Sequence, residues 1–247
     1  KILDENVTKV SCGDGHSLFV KNNGSLWTVG SNNKGQLGDG TTTHRSIPVK
    51  TIDQNVTHAT AGHGHTAFIK NDASLWTVGQ NDSGQLGDNT TTNRSTPIKV
   101  VDGNVTQVVA GLSHTMFIKN DGSLWGMGSG GAGRIGNGSS SPISTPLKVV
   151  DNDVTEVAVH DHTLFIKANG SLWGMGKNEN GQLGDGTLIN SLTPKQLVSS
   201  NVIKISAGWK HSAYIKTDGS LWTMGNNDYG QLGTGNFNST LVPVKII

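Results

Sequence analysis

The sequence predicts an all-β fold, a β-propeller of five four-stranded blades, and three observations carry that expectation. One unit of about 49 residues occurs five times: Trp27, Trp76, Trp125, Trp173 and Trp222 are spaced by 49, 49, 48 and 49 residues, and His16, His65, His114, His162 and His211 keep the same intervals. Each unit contains short β-type segments punctuated by turn signals such as Asn120-Asp121-Gly122 and Thr217-Asp218-Gly219, which supply the positive φ of a tight hairpin. The middle segments are apolar on both sides, with Leu18 and Val20 opposite Phe19. A strand loses simple alternation when both its faces are buried, and a lone blade cannot bury both faces. The units must therefore stack.

The repeats span residues 7–55, 56–104, 105–153, 154–201 and 202–247, with 1–6 completing the last blade, in a single domain over 1–247. In the second unit the strands are expected at Val56–Gly62, His65–Lys70, Ser74–Gly79 and Pro97–Val101. Ala73 stands where the other hairpin turns have Gly, so strain or a different turn is expected there. Lys1-Ile2-Leu3 is in phase with Lys245-Ile246-Ile247. Closing a ring removes exposed sheet edges, and the reading favours a closed ring over an open piece of a longer array.

Composition narrows function by exclusion. Nineteen basic and eighteen acidic residues give a net charge of +1, without the basic excess of a general nucleic-acid binder. No apolar run reaches membrane-spanning length. The single cysteine, Cys12, leaves no intrachain disulfide and no cysteine-based zinc site. The Asn/Asp-rich loops, such as Asn81-Asp82-Ser83-Gly84 and Asn227-Asp228-Tyr229-Gly230, offer at most one carboxylate each, with Asp39, Asp88 or Asp185 nearby. Calcium needs six to eight oxygens with several carboxylates, so turn chemistry explains these loops and neither metal nor cofactor is assigned. Ten Asn-x-Ser/Thr sequons, among them Asn81 and Asn238, follow from an Asn/Ser/Thr-rich composition. That low-charge composition slightly favours a secreted or bacterial cell-surface protein.

Each unit runs Ala-Gly-x-x-His-Ser/Thr, then Asp-Gly-Ser-Leu-Trp, then Gly-Gln-Leu-Gly, as in Ala207-Gly208-Trp209-Lys210-His211, Asp218-Gly219-Ser220-Leu221-Trp222 and Gly230-Gln231-Leu232-Gly233. This order resembles the repeat of the regulator of chromosome condensation (RCC1-like) family over essentially the whole chain. The resemblance implies a propeller, typically of seven blades rather than five. The eponymous member is a guanine-nucleotide exchange factor on chromatin; relatives include β-lactamase inhibitors, plant photoreceptors and interaction domains of ligases. Since one fold hosts many functions, the resemblance implies architecture more than activity.

Positions identical in every unit serve the shared scaffold, and positions that differ are free to serve a ligand. The five histidines are assigned a local structural hydrogen bond to backbone, and the five tryptophans blade packing. The loop before each histidine and the loop after each tryptophan strand lie at one end of the hairpin, where the units diverge most. This end is the expected binding surface, with Asp14, His63, Leu112, His160, Asp161, Trp209, Lys210 and Tyr229 as candidates. Trp209 is the one tryptophan outside the repeat register, and Tyr229 replaces Lys34, Ser83, Ala132 and Asn180. Exposed aromatics of this kind anchor protein interfaces or stack on sugars. His160, Asp161 and His162 could assemble an acid/base pair, yet no nucleophile or paired carboxylates accompany them. The sequence thus points to a non-enzymatic protein-binding scaffold, with carbohydrate or surface-polymer binding as the alternative; a structural array and an exchange factor follow.

Overall fold

The computed structural model describes residues 6–247, so the segment 1–6 expected to complete the last blade lies outside it apart from Asn6. The described residues form five antiparallel sheets of four strands, each in simple sequence order. The first is β1 (Val7–Cys12), β2 (His16–Lys21), β3 (Leu26–Gly30) and β4 (Arg45–Ile52). The second is β5 (Val56–Ala61), β6 (His65–Lys70), β7 (Leu75–Gly79) and β8 (Arg94–Val101). The third is β9 (Val105–Ala110), β10 (His114–Lys119), β11 (Leu124–Gly128) and β12 (Ile143–Val150). The fourth is β13 (Val154–Val159), β14 (His162–Lys167), β15 (Leu172–Gly176) and β16 (Ser191–Val198). The fifth is β17 (Val202–Ala207), β18 (His211–Lys216), β19 (Leu221–Gly225) and β20 (Thr240–Lys245). This is the all-β architecture of five propeller-type blades. The fifth sheet takes its fourth strand from Thr240–Lys245, and β8 starts three residues earlier than the sequence suggested, at Arg94.

Local chemistry explains the sheet register. A bulge interrupts the pairing of first and second strands at Thr8, Thr57 and Thr155. The bulged hydroxyls donate to the carbonyls of Val20, Ile69 and Ile166 at 3.1, 3.2 and 3.3 Å, which satisfies acceptors the bulge would otherwise leave open. The fourth strands lie at a sheet edge and carry Pro48, Pro97, Pro146, Pro194 and Pro243. Proline donates nothing to a ladder, so it is tolerated at an edge and blunts further pairing there. Ala73 adopts φ +60°, the left-handed turn that Gly24, Gly122, Gly170 and Gly219 adopt in the other repeats.

The chain divides into two compact units: residues 1–120 with 125–129 and 142–148, and residues 121–124 with 130–141 and 149–247. In the first, Leu18, Val20 and Leu26 of one sheet pack on Val56, Ala59, Ala61 and Phe68 of the next. Ala67, Ile69 and Leu75 repeat that contact against Val105, Val108 and Phe117. In the second, Leu164, Ile166 and Leu172 face Val202 and Tyr214. Strand β6 is buried along both faces, as the lost alternation predicted. Burying one such Phe or Leu side chain stabilises the fold by about 1.5–3 kcal/mol, so the faces between sheets are the core.

Candidate functional site: the loop ends of the repeats

The repeated residues build the frame on which the variable loops sit. Phe68, Phe165 and Tyr214 pair across strands with Trp76, Trp173 and Trp222, their rings stacked at 6.2, 6.2 and 6.1 Å. The Asp-Gly-Ser-Leu-Trp motif is a hydrogen-bond chain. Trp222 Nε1 donates to Ser220 Oγ at 2.9 Å, and Ser220 Oγ donates to Asp218 Oδ1 at 2.6 Å. The same chain runs through Trp76, Ser74 and Asp72, and Asn169 replaces the aspartate beside Ser171 and Trp173.

The histidines differ from expectation in their partner. His16 and His65 bond the hydroxyls of Thr66 and Thr115 in the next repeat at 2.9 Å, and His162 bonds Ser212 at 2.6 Å. Each hydroxyl donates its one proton to a backbone carbonyl: Thr66 to Gln36, Thr115 to Gln85, Ser212 to Gln182. The imidazole must therefore donate from Nε2–H, which leaves Nδ1 as an unprotonated, buried atom without a partner in His16, His65 and His162. Desolvation agrees, pushing His16 down to about 4 and His65 and His162 to about 3. A side-chain partner in the next repeat could not be read from one unit, because its counterpart lies fifty residues away.

The Asn/Asp loops are closed by internal bonds. Asn81 is fully buried; its amide donates to Asp88 Oδ1 at 2.9 Å and to the carbonyls of Thr90 and Thr92, while its oxygen accepts from Leu86 N–H. Asn32 and Asn178 do the same toward Asp39 and Asp185. Asp185 is held down to about 2: burial pushes upward, and Lys195, Thr187 and Asn178 outweigh it by donating to the carboxylate. These carboxylates are spent within the loop, and no group of three or more His, Cys, Asp or Glu among the described residues could hold a metal ion.

The two divergent loops of a repeat do lie side by side. Ser31, Gln80 and Asn226 N–H donate to the carbonyls of Gly15, Gly64 and Lys210 at 2.7, 2.8 and 2.9 Å. In the first unit this end is small and charged. Exposed Asp14 and His63 approach to 3.6 Å, Lys34 and Asp82 to 3.7 Å, and Leu112 is half-buried. In the second unit it is aromatic. Trp209 is 59% and Tyr229 89% exposed, and Lys210 Nζ lies 4.8 Å from the Trp209 ring. Their backbone is nonetheless fixed: Gly208 N–H bonds His211 O, Tyr229 N–H bonds Gln231 Oε1, and Gln231 Nε2 bonds Asn226 Oδ1. His160 is half-buried, while Asp161 is buried against Arg134 and 3.5 Å from Lys177. With His162 bonded to Ser212, Asp161 and His162 are engaged within the fold, and His160 joins them through its backbone N–H to His162 O.

A model of the RCC1-like domain matches residues 1–247. The chain belongs to the RCC1-like domain family. Among solved structures it is similar to human WBSCR16, with 22% identity and a TM-score of 0.68 over 99% of this chain and 82% of that one. It is similar to Prp20p of Saccharomyces cerevisiae, with 16% identity and a TM-score of 0.73 over 98% and 77%. The ectodomain of the receptor kinase CR4 of Physcomitrella patens matches with 15% identity and a TM-score of 0.54 over 89% and 50%. At these identities the likeness is one of fold. The Prp20p structure is described together with binding to Gsp1p and histones, and a further yeast structure of Prp20 is bound to Kap60. No curated protein matches the chain. In this RCC1-like chain the residue that sequence reasoning missed is Arg134, which replaces the Gln of Gly-Gln-Leu-Gly. The signal was present as a pair of departures: Arg134 in the third repeat and Asp161 in the shortened loop of the fourth.

Proposed function

We propose that this RCC1-like chain is a non-enzymatic protein-binding scaffold whose partner docks on the loop ends of the fifth repeat. The observation that carries the reading is the pairing of exposed Trp209 and Tyr229 rings with a hydrogen-bonded backbone. Aromatic side chains on a fixed backbone contribute contact area at low ordering cost, which is why Trp and Tyr recur in interface hot spots. Lys210, whose Nζ lies 4.8 Å from the Trp209 ring, supplies a polar group beside them. Binding of proteins by the yeast relatives supports the class of partner, and a net charge of +1 does not favour nucleic acid.

The test is affinity capture from source extract and medium with wild type and a Trp209→Ala, Tyr229→Ala double variant. A protein held by wild type and lost by the variant supports the reading; equal capture by both removes these residues from the site. The same two rings favour carbohydrate stacking as the second reading, and a glycan screen that binds wild type alone would replace the first.

A further inference from the structure

We propose that the outer loops of the fourth and fifth repeats form one apolar rim, and that this rim takes an uncharged segment of a partner protein by its aliphatic or aromatic side chains. The inference rests on the reading of the chain as a protein-binding scaffold and adds to it a surface and a partner chemistry. The observation is a paired departure from the repeat. Two positions four residues apart, one in the loop and one in the strand that follows, are Thr42 and Ser46, Thr91 and Ser95, and Ser140 and Ser144 in the first three repeats. In the fourth and fifth they are Leu188 with Leu192 and Phe237 with Leu241. Ile189 adds a further apolar side chain where the other repeats have Thr43, Thr92, Ser141 and Asn238.

These side chains are not core. Leu188 is 53%, Ile189 73% and Phe237 71% exposed, and Leu192 and Leu241 are exposed beside them. The loop position faces solvent in every repeat, Thr42, Thr91 and Ser140 included. Leu188 is exposed although the fifth sheet covers the fourth, so the exposure belongs to the position in the repeat. Single exposed apolar residues are ordinary, whereas a contiguous group marks an interaction site. Contacts make this group contiguous. Gly186 N–H, two residues from Leu188, donates to the Leu241 carbonyl at 2.9 Å, and the Leu241 side chain lies against Gly181. The edge of the Phe237 ring lies against Gly230, the neighbour of Tyr229. The rim thus runs from Leu188 across the junction of the fourth and fifth sheets toward the exposed aromatic residues of the fifth repeat.

What the rim binds follows from what it has already satisfied. Asn178 Nδ2 donates to the carbonyls of Thr187 and Ile189 at 3.0 and 3.2 Å, and Asn227 Nδ2 to those of Asn236 and Asn238 at 2.8 and 3.1 Å. Ile189 N–H donates to Thr187 Oγ1 at 3.3 Å. Residues 185–190 and 234–239 contain one ionic group, Asp185, and Lys195 Nζ holds it at 2.6 Å. The loops therefore offer no free charge to an anion or a charged peptide and little open backbone to an added strand. Leu188, Ile189, Leu192 and Leu241 present no ring for a sugar to stack on. A lipid surface is drawn by free cations beside apolar loops, and Lys195 is paired. What remains is neutral apolar area on a fixed backbone, which binds by burying apolar side chains of a partner.

Selection from a random peptide display library on the full chain, followed by fluorescence anisotropy of the selected peptide, tests this. The proteins compared are wild type, a rim variant (Leu188→Thr, Ile189→Thr, Phe237→Thr) and the Trp209→Ala, Tyr229→Ala variant. The rim substitutions bring in the residue type that the same loop carries at Thr42 and Thr43, and circular dichroism melts confirm that each protein is folded. The expected peptide is neutral and rich in apolar side chains, binds equally at low and high salt, and binds the rim variant about tenfold or more weakly. No selected peptide, a charged consensus, or equal binding by the rim variant overturns the proposal. So does rim-dependent cosedimentation with phosphatidylcholine vesicles in place of peptide binding, which would make the ligand a lipid surface. Loss of the peptide in the Trp209→Ala, Tyr229→Ala variant alone overturns the rim and keeps the aromatic site. Loss in the rim variant alone keeps the rim and removes the aromatic pair, and loss in both joins them in one surface.

Discussion

At the scale of single residues, His16, His65 and His162 are buried neutral donors, and this gives the fold a defined response to acid. The sign follows from linkage. In the unfolded chain a histidine titrates near 6.5, whereas folded His65 and His162 titrate at about 3 and His16 at about 4. Between those values the unfolded state binds more protons, so stability falls as pH is lowered from about 6.5, by about 1.4 kcal/mol per pH unit for each such histidine. Thermal melts from pH 7 to pH 4 are expected to show a steady loss, and His65→Gln to show a shallower slope by one proton. An unchanged slope would mean that His65 is protonated in the fold. Arg134 gives a second prediction. Its guanidinium lies against buried Asp161, leaving Lys177 at 3.5 Å as the other cation. Arg134→Gln restores the residue found at this place in the other four repeats, yet it strands a buried carboxylate. A loss of about 3 kcal/mol is expected in urea unfolding, falling to a fraction of that in an Asp161→Asn background. Equal losses in both backgrounds would show that the pair is uncoupled.

At the scale of the element, the hairpin turn tests how far a repeat tolerates departure from its own pattern. Ala73 holds φ +60° where the other four turns have glycine, a conformation that costs a residue with a Cβ roughly 1 kcal/mol. Ala73→Gly is therefore expected to stabilise by about 0.5 kcal/mol after the greater freedom of glycine in the unfolded chain is subtracted, read as a higher urea midpoint with unchanged slope. A lower midpoint would mean that the alanine methyl contributes packing that exceeds the strain. The turn was legible in the sequence because Asn-Asp-Gly and Thr-Asp-Gly carry their φ requirement in their residue types. The strand pairs were legible for the same reason, since Phe and Trp recur at fixed offsets. Apolar stacking of repeats was legible in the lost alternation of the middle strands; what was not legible was any polar bond joining one repeat to the next. The His16–Thr66 bond, the hydroxyl relay to Gln36 and the Arg134–Asp161 pair each link residues 27 to 50 positions apart. Each residue type is innocuous within its own repeat. The start of β8 at Arg94 was missed similarly, because Arg94 is fixed by Asp88 at 2.6 Å rather than by local strand propensity.

At the scale of the whole molecule, a repeat array is held together by contacts between neighbours, so its stability is a sum of repeat and junction contributions. Close approaches between sheets of the first unit run through glycine. A Cβ placed on Gly62 would sit 2.6 Å from the carbonyl oxygen of Gly111 and equally near the His65 ring, and His63 N–H bonds that same carbonyl at 3.2 Å. Neither neighbour can yield cheaply, since one is backbone and the other is tied to Thr115 at 2.9 Å. The fourth repeat resolves the same problem differently: it lacks one residue, and His160 N–H closes onto His162 O at 3.0 Å. Gly62→Ala should therefore open the junction between the second and third sheets without disturbing the turns or aromatic pairs within either. Overpacking of this kind costs about 1–3 kcal/mol, and nearest-neighbour coupling confines where the cost is felt. Amide hydrogen exchange followed strand by strand is expected to show faster exchange in β5, β6, β9 and β10, with β18 and β19 unchanged. Uniformly faster exchange in every strand would instead show that the array unfolds as one cooperative body, and that no junction can be weakened alone.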